Sequence, residues 1–410
     1  MDKQYNSANT FLAFVDDNNL RDVLKELPYK DIGLTEKILK GQTQEAIDYL
    51  RENESPRIIL VDISKSDLPL TDLKSIIEVC APTIDLVVIG EKNDVGLFRE
   101  ILALGAKDYI VKPLRKDLII RKLKEIVMGE SSGDAPASIT HAGQLIAFVG
   151  SRGGVGTSTF ASNCAWTISQ KYHKYVGLVD LDFKTGGVSY FFNLPQSPNF
   201  ADTIVEEKHL DINIIENLVV RHDKRLGILS ARDRLIDFNS VPLDSLGIVI
   251  NIFKEQYNYS IVDLPSKPNR EFLLAIADHA NVVVLMTDLT LFSIAETSWI
   301  LDELRDAANF KQKVLVVVNR YGEYKEGYLA PEDFETAIGH KIDFMANFDN
   351  KSTLLALNDG VPVASGEGLL ASDIHKFTEY LLEGKVTEKD DSPFKQFLGM
   401  FSSDAEDEKN

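Results

Sequence analysis

The chain has 410 residues, 44% of them apolar, and a formal net charge of −19. That length suggests two or three domains, and that apolar share is ample for large cores. The acidic balance, with no dense Lys/Arg run to offset it, weighs against nucleic acid as a partner. The two cysteines, Cys80 and Cys164, lie in apolar stretches. They fit a reducing compartment and exclude a disulfide framework.

Met1 to Thr10 is polar and lacks the apolar core of a signal peptide. No apolar run reaches the roughly 18 to 20 residues that span a bilayer. A cytoplasmic protein is expected.

Residues 1–129 read as a first domain in which strands and helices alternate. Strands are predicted at Phe11–Val15, near Asp31–Thr35, at Ile58–Val61, Leu86–Ile89 and Tyr109–Val111, with helices between them and after the last. Alternation of this kind implies a parallel sheet covered on both faces, with functional residues at the carboxyl ends of its strands. Asp16, Asp17, Asp62 and Lys112 all fall at such ends. The arrangement resembles the receiver domain of response regulators, and the run from Gly105 to Leu114 looks like a receiver's last turn and strand. The resemblance implies that the acidic pair and Asp62 would hold Mg²⁺, that Asp62 would accept a phosphoryl group, and that Lys112 would neutralise it. Two departures stand out. Gly90 replaces the expected Ser/Thr, and the loop after Asp62 is lengthened, its proline delayed to Pro69. A docking module is therefore expected rather than a phospho-switch, with phosphorylation of Asp62 the alternative.

Residues 130–143 are small and polar, which predicts a flexible tether that lets its neighbours reorient.

Residues 144–384 read as a second domain. The apolar run Leu145–Val149 leads into Gly150-Ser151-Arg152-Gly153-Gly154-Val155-Gly156-Thr157-Ser158-Thr159, and a helical pattern from Phe160 leads out. Strand, glycine-rich loop and helix start form a phosphate cradle, with backbone N–H groups and the helix N-terminus facing the anion. Ser158 supplies a hydroxyl for Mg²⁺. The usual loop lysine is absent, because Thr157 stands in its place. Arg152 is a cation at the other end of the loop, so nucleotide binding with slow chemistry is expected. Asp180 and Asp182 follow a strand at Val176–Val179, where carboxylates can orient Mg²⁺ or an attacking water. Ile261-Val262-Asp263 is an apolar strand ending in aspartate, the pattern of a Walker B metal site. Val282–Met286 and Val314–Val318 are further buried strands. The second ends at Asn319-Arg320, where an amide is suited to both edges of adenine.

The run Ser151 to Thr159 resembles the deviant Walker A loop of the ParA/MinD ATPases. Asp180 and Asp182 match that family's second motif, Asp263 its Walker B aspartate, Asn319 its base-recognising asparagine, and Ala356 to Val363 its late segment near the base. A receiver-like domain joined to such an ATPase is similar to the pilus assembly proteins of the TadZ/CpaE type. The resemblance implies a doubly α/β architecture, receiver-like (flavodoxin-like) sheet then P-loop NTPase sheet, with ATP and Mg²⁺ as cofactors. It implies a nucleotide-dependent homodimer in which the cation at the Arg152 position reaches the partner's phosphates. It also implies pilus assembly proteins as partners of the first domain, and a place in the cytoplasm, at the inner face of the membrane or a cell pole. A response regulator with an ATPase output, or a ParA-like DNA- or cargo-partitioning ATPase, are the alternatives.

In the tail, 385–410, Phe394, Phe397, Leu398 and Phe401 form one apolar stripe at helical spacing. Membrane contact through 394–401 is one reading, although Lys395 is the lone cation in the stripe. A groove on a partner or on the chain itself is another, and disorder is the third.

Overall fold

The computed structural model describes residues 9–128, 143–206, 210–232, 241–307, 310–324 and 326–383. The tether, apart from Gly143, and the apolar stripe at 394–401 lie outside them.

The first sheet is built from β1 (Thr10–Phe14), β2 (Thr35–Leu39), β3 (Ile58–Asp62), β4 (Asp85–Gly90) and β5 (Asp108–Val111). The intervening helices are α1 (Asn18–Lys25), α2 (Thr43–Glu52), α3 (Pro69–Val79) and α4 (Val95–Ala103), and α5 (Lys116–Met128) follows. All pairs are parallel, in the order β2-β1-β3-β4-β5. Alternate residues of β1 and β3 enter opposite cores: Leu12, Phe14, Ile59 and Val61 on one side, Phe11, Ala13, Ile58 and Leu60 on the other. The predicted strand at Asp31–Thr35 is misplaced. Tyr29–Ile32 forms a 3-10 turn that buries Tyr29 and Ile32, Gly33 turns left-handed at φ 73°, and β2 begins only at Thr35.

The second sheet contains β6 (Gln144–Gly150), β7 (Val176–Asp180), β8 (Val220–Arg221), β9 (Leu226–Leu229), β10 (Tyr259–Asp263), β11 (Val282–Thr287), β12 (Lys313–Tyr321) and β13 (Phe344–Asn347). Its order is β13-β12-β11-β6-β10-β7-β9-β8, parallel except for β8. The helices are α6 (Thr157–Lys171), α7 (Phe200–Glu206), α8 (Ile212–Leu218), α9 (Leu243–Gln256), α10 (Arg270–His279), α11 (Leu291–Asp306), α12 (Pro331–Ile338), α13 (Asn350–Asp359) and α14 (Leu369–Glu383). Two buried clusters cover the two faces of this sheet. Strand β6 is central, so the loop that follows it opens in the middle of the sheet's carboxyl edge.

The two sheets are docked, not merely tethered. Four side chains of the second unit donate to carbonyls at the C-terminal ends of α2 and α3. Arg225 donates to Leu50, Lys224 to Glu52, Lys174 to Glu78 at 2.9 Å, and Asn258 to Cys80 at 3.3 Å. The Tyr175 hydroxyl accepts from the Ser55 N–H at 2.9 Å and donates to its Oγ at 3.0 Å. Carbonyls at a helix end have no intrahelical partner and carry the negative end of the helix dipole, so cations there contribute about 0.3 to 2 kcal/mol each. Arg225 is 4% exposed and also packs over the Tyr175 ring. Every one of these contacts lies at the amino ends of the strands, in both sheets.

Candidate nucleotide-binding site

The loop from Gly150 to Gly156 joins β6 to α6, and the helix starts at Thr157, earlier than its apolar pattern begins. Gly154 and Gly156 hold φ of 78° and 99°, which strains any residue with a Cβ. A Cβ at Gly156 would also run into Asn319 Nδ2, and one at Gly150 into Thr157 Oγ1. The Thr157 side chain therefore lies back over the loop's first glycine. Ser151 is buried and fixes the loop to β11, its N–H donating to Met286 at 2.8 Å and its Oγ to Thr287 at 3.2 Å.

Asp180 and Asp263 end adjacent strands and face each other in register. Both are fully buried. Asp180 accepts from the N–H groups of Asp182 at 3.0 Å and Val188 at 3.2 Å, and from the Ser230 hydroxyl at 2.9 Å. Burial nonetheless pushes its carboxyl up to about 7. Burial, then the charge of Asp180, raises Asp263 as well, and the nearby Ser158 hydroxyl offsets this in part. Neither oxygen of Asp263 has a hydrogen-bond partner of good geometry. Two adjacent buried carboxylates, one of them with both oxygens orphaned beside a hydroxyl, are a poor end state for a protein interior and a good ligand set for a hard divalent cation. The residues fit Mg²⁺, which Ser158, Asp263 and Asp180 would hold. Asp182, expected to position water, has both oxygens engaged by Thr185, its N–H at 2.9 Å and its hydroxyl at 2.5 Å.

The cations are where the sequence puts them but not free. Arg152, expected to reach a second copy, is bound within its own chain to Asp288, with Nε at 3.0 Å, and to the Gly153 carbonyl. Burial raises the Asp288 carboxyl, but bonds from Arg152, Ser293 and Thr290 outweigh it and hold the group below its ordinary value. Arg320, at φ 61°, donates to the Gly154 carbonyl at 3.3 Å and pairs with Glu323. Asn319, expected to recognise a base, spends an amide donor on the Val155 carbonyl at 2.8 Å and so fixes the loop. Lys267 pairs with Glu296 and Arg270 with Glu303. Val155 is buried, and Thr159 accepts from Asn163 at 2.7 Å, tying the helix start to the segment around Ala364.

Asp288, Ser230 and Glu323 were not anticipated. Asp288 directly follows β11, so the strand-end rule that found Asp180 and Asp263 would have found it too.

In the first sheet, Asp16, Asp17, Asp62 and Lys112 meet at the carboxyl edge around a cavity of about 240 Å³, joined there by Ser64 and Lys65.

No protein-family model matches the chain. The second unit has the α/β P-loop NTPase fold of the ParA/MinD ATPases. A ParA family ATPase from Chlorobium tepidum superposes at TM-score 0.53 with 20% identity, over 58% of this chain and 99% of its own. The septum site-determining protein MinD from Pyrococcus horikoshii, complexed with Mg-ADP, superposes at 0.50 with 18% identity, over 58% and 96%. An uncharacterized ATP-binding protein of Methanocaldococcus jannaschii, MJ0169, is 26% identical over 203 residues, 48% of this chain and 72% of its own.

Proposed function

We propose that the chain binds Mg-ATP through the loop Arg152–Thr159, associates with a second copy when it does so, and turns ATP over slowly. ATP then acts as an assembly signal rather than as fuel. The observation that carries this reading is the orphaned, buried Asp263 beside Ser158, at the mouth of a loop whose lysine position is occupied by Thr157. Mg²⁺ held there would neutralise phosphate charge. The chain's own part is to cradle the phosphates on loop N–H groups, to hold the base near Asn319 and Arg320, and to exclude bulk water from Asp180 and Asp263. Without a loop cation aimed at the transferred phosphoryl group, turnover is expected to fall by about 10³-fold or more against an ordinary P-loop ATPase. The similarity to MJ0169 and to the Mg-ADP complex supports the ligand.

The finer role is that of a scaffold or localisation factor in pilus assembly, docking other assembly proteins through its receiver-like unit at the inner face of the membrane or a cell pole. The order of the two units and the motifs quoted above support it. No helix among the described residues is long and apolar enough to cross a membrane.

Calorimetry of Mg-ATP titrated into the pure protein tests binding. Light scattering with and without ATP, beside a phosphate-release assay, tests the rest. Binding heat, a doubled mass with ATP and turnover far below that of ordinary ATPases are expected. A mass indifferent to nucleotide, or fast turnover, contradicts the reading.

A further inference from the structure

A receiver-like pocket would take a divalent cation on open carboxylate oxygens and a phosphoryl group on the central aspartate. Here both oxygens of Asp62 accept hydrogen bonds, as does one oxygen each of Asp16 and Asp17. Asp62 Oδ1 accepts from the Ser64 N–H at 3.0 Å and the Ser64 hydroxyl at 2.6 Å, and Oδ2 accepts from Lys112 at 2.7 Å. Its side chain is 7% exposed. Asp17 has turned to cap α1, accepting from the N–H groups of Asn19 at 2.8 Å and Leu20 at 3.4 Å. Asp16 holds the Lys65 ammonium at 2.5 Å, with Lys40 at 4.0 Å. The place of the expected Ser/Thr hydroxyl is taken too. A Cβ at Gly90 would run into the Tyr109 hydroxyl, which donates to the Lys92 carbonyl at 2.9 Å. The residues present therefore do not fit a divalent cation.

Ser64 and Lys65 both come from the lengthened loop between β3 and α3. We infer that this loop is a built-in plug: Ser64 saturates Asp62 and Lys65 places an ammonium on Asp16, so the pocket is closed to divalent cations and to phosphoryl transfer. The electrostatics agree in direction. The hydrogen bond and charge of Lys65 lower Asp16, and Asp16 foremost, then Asp62 and Asp17, raise Lys65. The Lys65 side chain is 66% exposed, so solvent screens its pair with Asp16 and the tighter part of the block is at Asp62. Both plug residues must therefore be removed to open the pocket. The module so described keeps one state whatever the phosphodonor supply, which suits a constant docking head.

The test uses the nucleotide-free full chain. Wild type and Ser64→Ala/Lys65→Ala are titrated with Mn²⁺ by electron paramagnetic resonance. Both are also treated with acetyl phosphate and Mg²⁺ and weighed intact. Wild type is expected to gain no phosphoryl mass. The double variant is expected to bind Mn²⁺ at least tenfold more tightly, a gain abolished by adding Asp16→Asn, which leaves the distant Asp180/Asp263 site untouched. A wild-type phosphoryl adduct that disappears in Asp62→Asn overturns the inference. So does a folded double variant that binds Mn²⁺ no better than wild type. If that double variant does not fold, the wild-type mass measurement and a second double variant, Ser64→Gly/Lys65→Gln, still decide, the latter by the same Asp16-dependent gain or its absence.

Discussion

Thr157 is the residue on which the proposed slow turnover depends. Its hydroxyl folds over Gly150, leaving no ammonium at the start of α6. Thr157→Lys should raise phosphate release by about 10²-fold or more, because a cation at that position stabilises charge in the transition state. The neighbouring glycines separate conformational need from space. Gly156→Ala places a Cβ at φ 99° and against Asn319, so it should cost about 1 to 3 kcal/mol and abolish the binding heat. At Gly153 a Cβ would meet only the Ser266 side chain, at ordinary contact distances of 3.7 and 4.0 Å, so Gly153→Ala should melt like wild type. The buried carboxylates give a pH signature. Burial raises both, Asp180 to about 7. The folded state then binds protons more tightly than the unfolded chain, so this pair favours folding increasingly as pH falls through 7 and opposes it above. Asp263→Asn removes one of the two charges. Nucleotide-free Asp263→Asn should melt above wild type at pH 8.5, and the gap should narrow by pH 6. A gap that widens on acidification would contradict the assignment.

Among the elements, β6, β7, β10 and β11 were legible, because buried parallel strands read as short apolar runs and their carboxylates mark where they end. What the chain hid is of another kind. Strands β8, β9 and β13 have only two to four residues, and β2 carries the exposed Thr35 and Glu36, so none shows a long apolar run. Partners such as Asp288 for Arg152, and Ser64 for Asp62, depend on which loops the fold brings together. The seam was illegible for the same reason: Lys174, Lys224 and Arg225 look like ordinary surface cations until α2 and α3 present their ends. Three elements span the unit from nucleotide site to seam. Helix α6, about 22 Å long, runs from Thr157 toward Lys174. Strands β7 and β10 run from Tyr175 and Asn258 to Asp180 and Asp263. Arg225→Ala removes a buried cation from the end of α2, so amide exchange at Leu50–Glu52 should accelerate by at least about tenfold. Unchanged exchange there would mean that the seam carries no stability of its own.

At the scale of the whole molecule, the amino-end seam decides which way each working edge looks. The P-loop opens at the carboxyl edge of one sheet and the plugged pocket at the carboxyl edge of the other, so the two point outward from a shared base. Copies joined through their nucleotide faces would carry their receiver-like units at the far tips. X-ray scattering should then show a maximum dimension approaching twice that of the monomer when Mg-ATP is added, and a compact dimer of near-monomer length would contradict this arrangement. A body of that shape would be a bar with a grip at either end. It would be fitted to span two neighbours in a larger array, with its grips too far apart to close on one small target together.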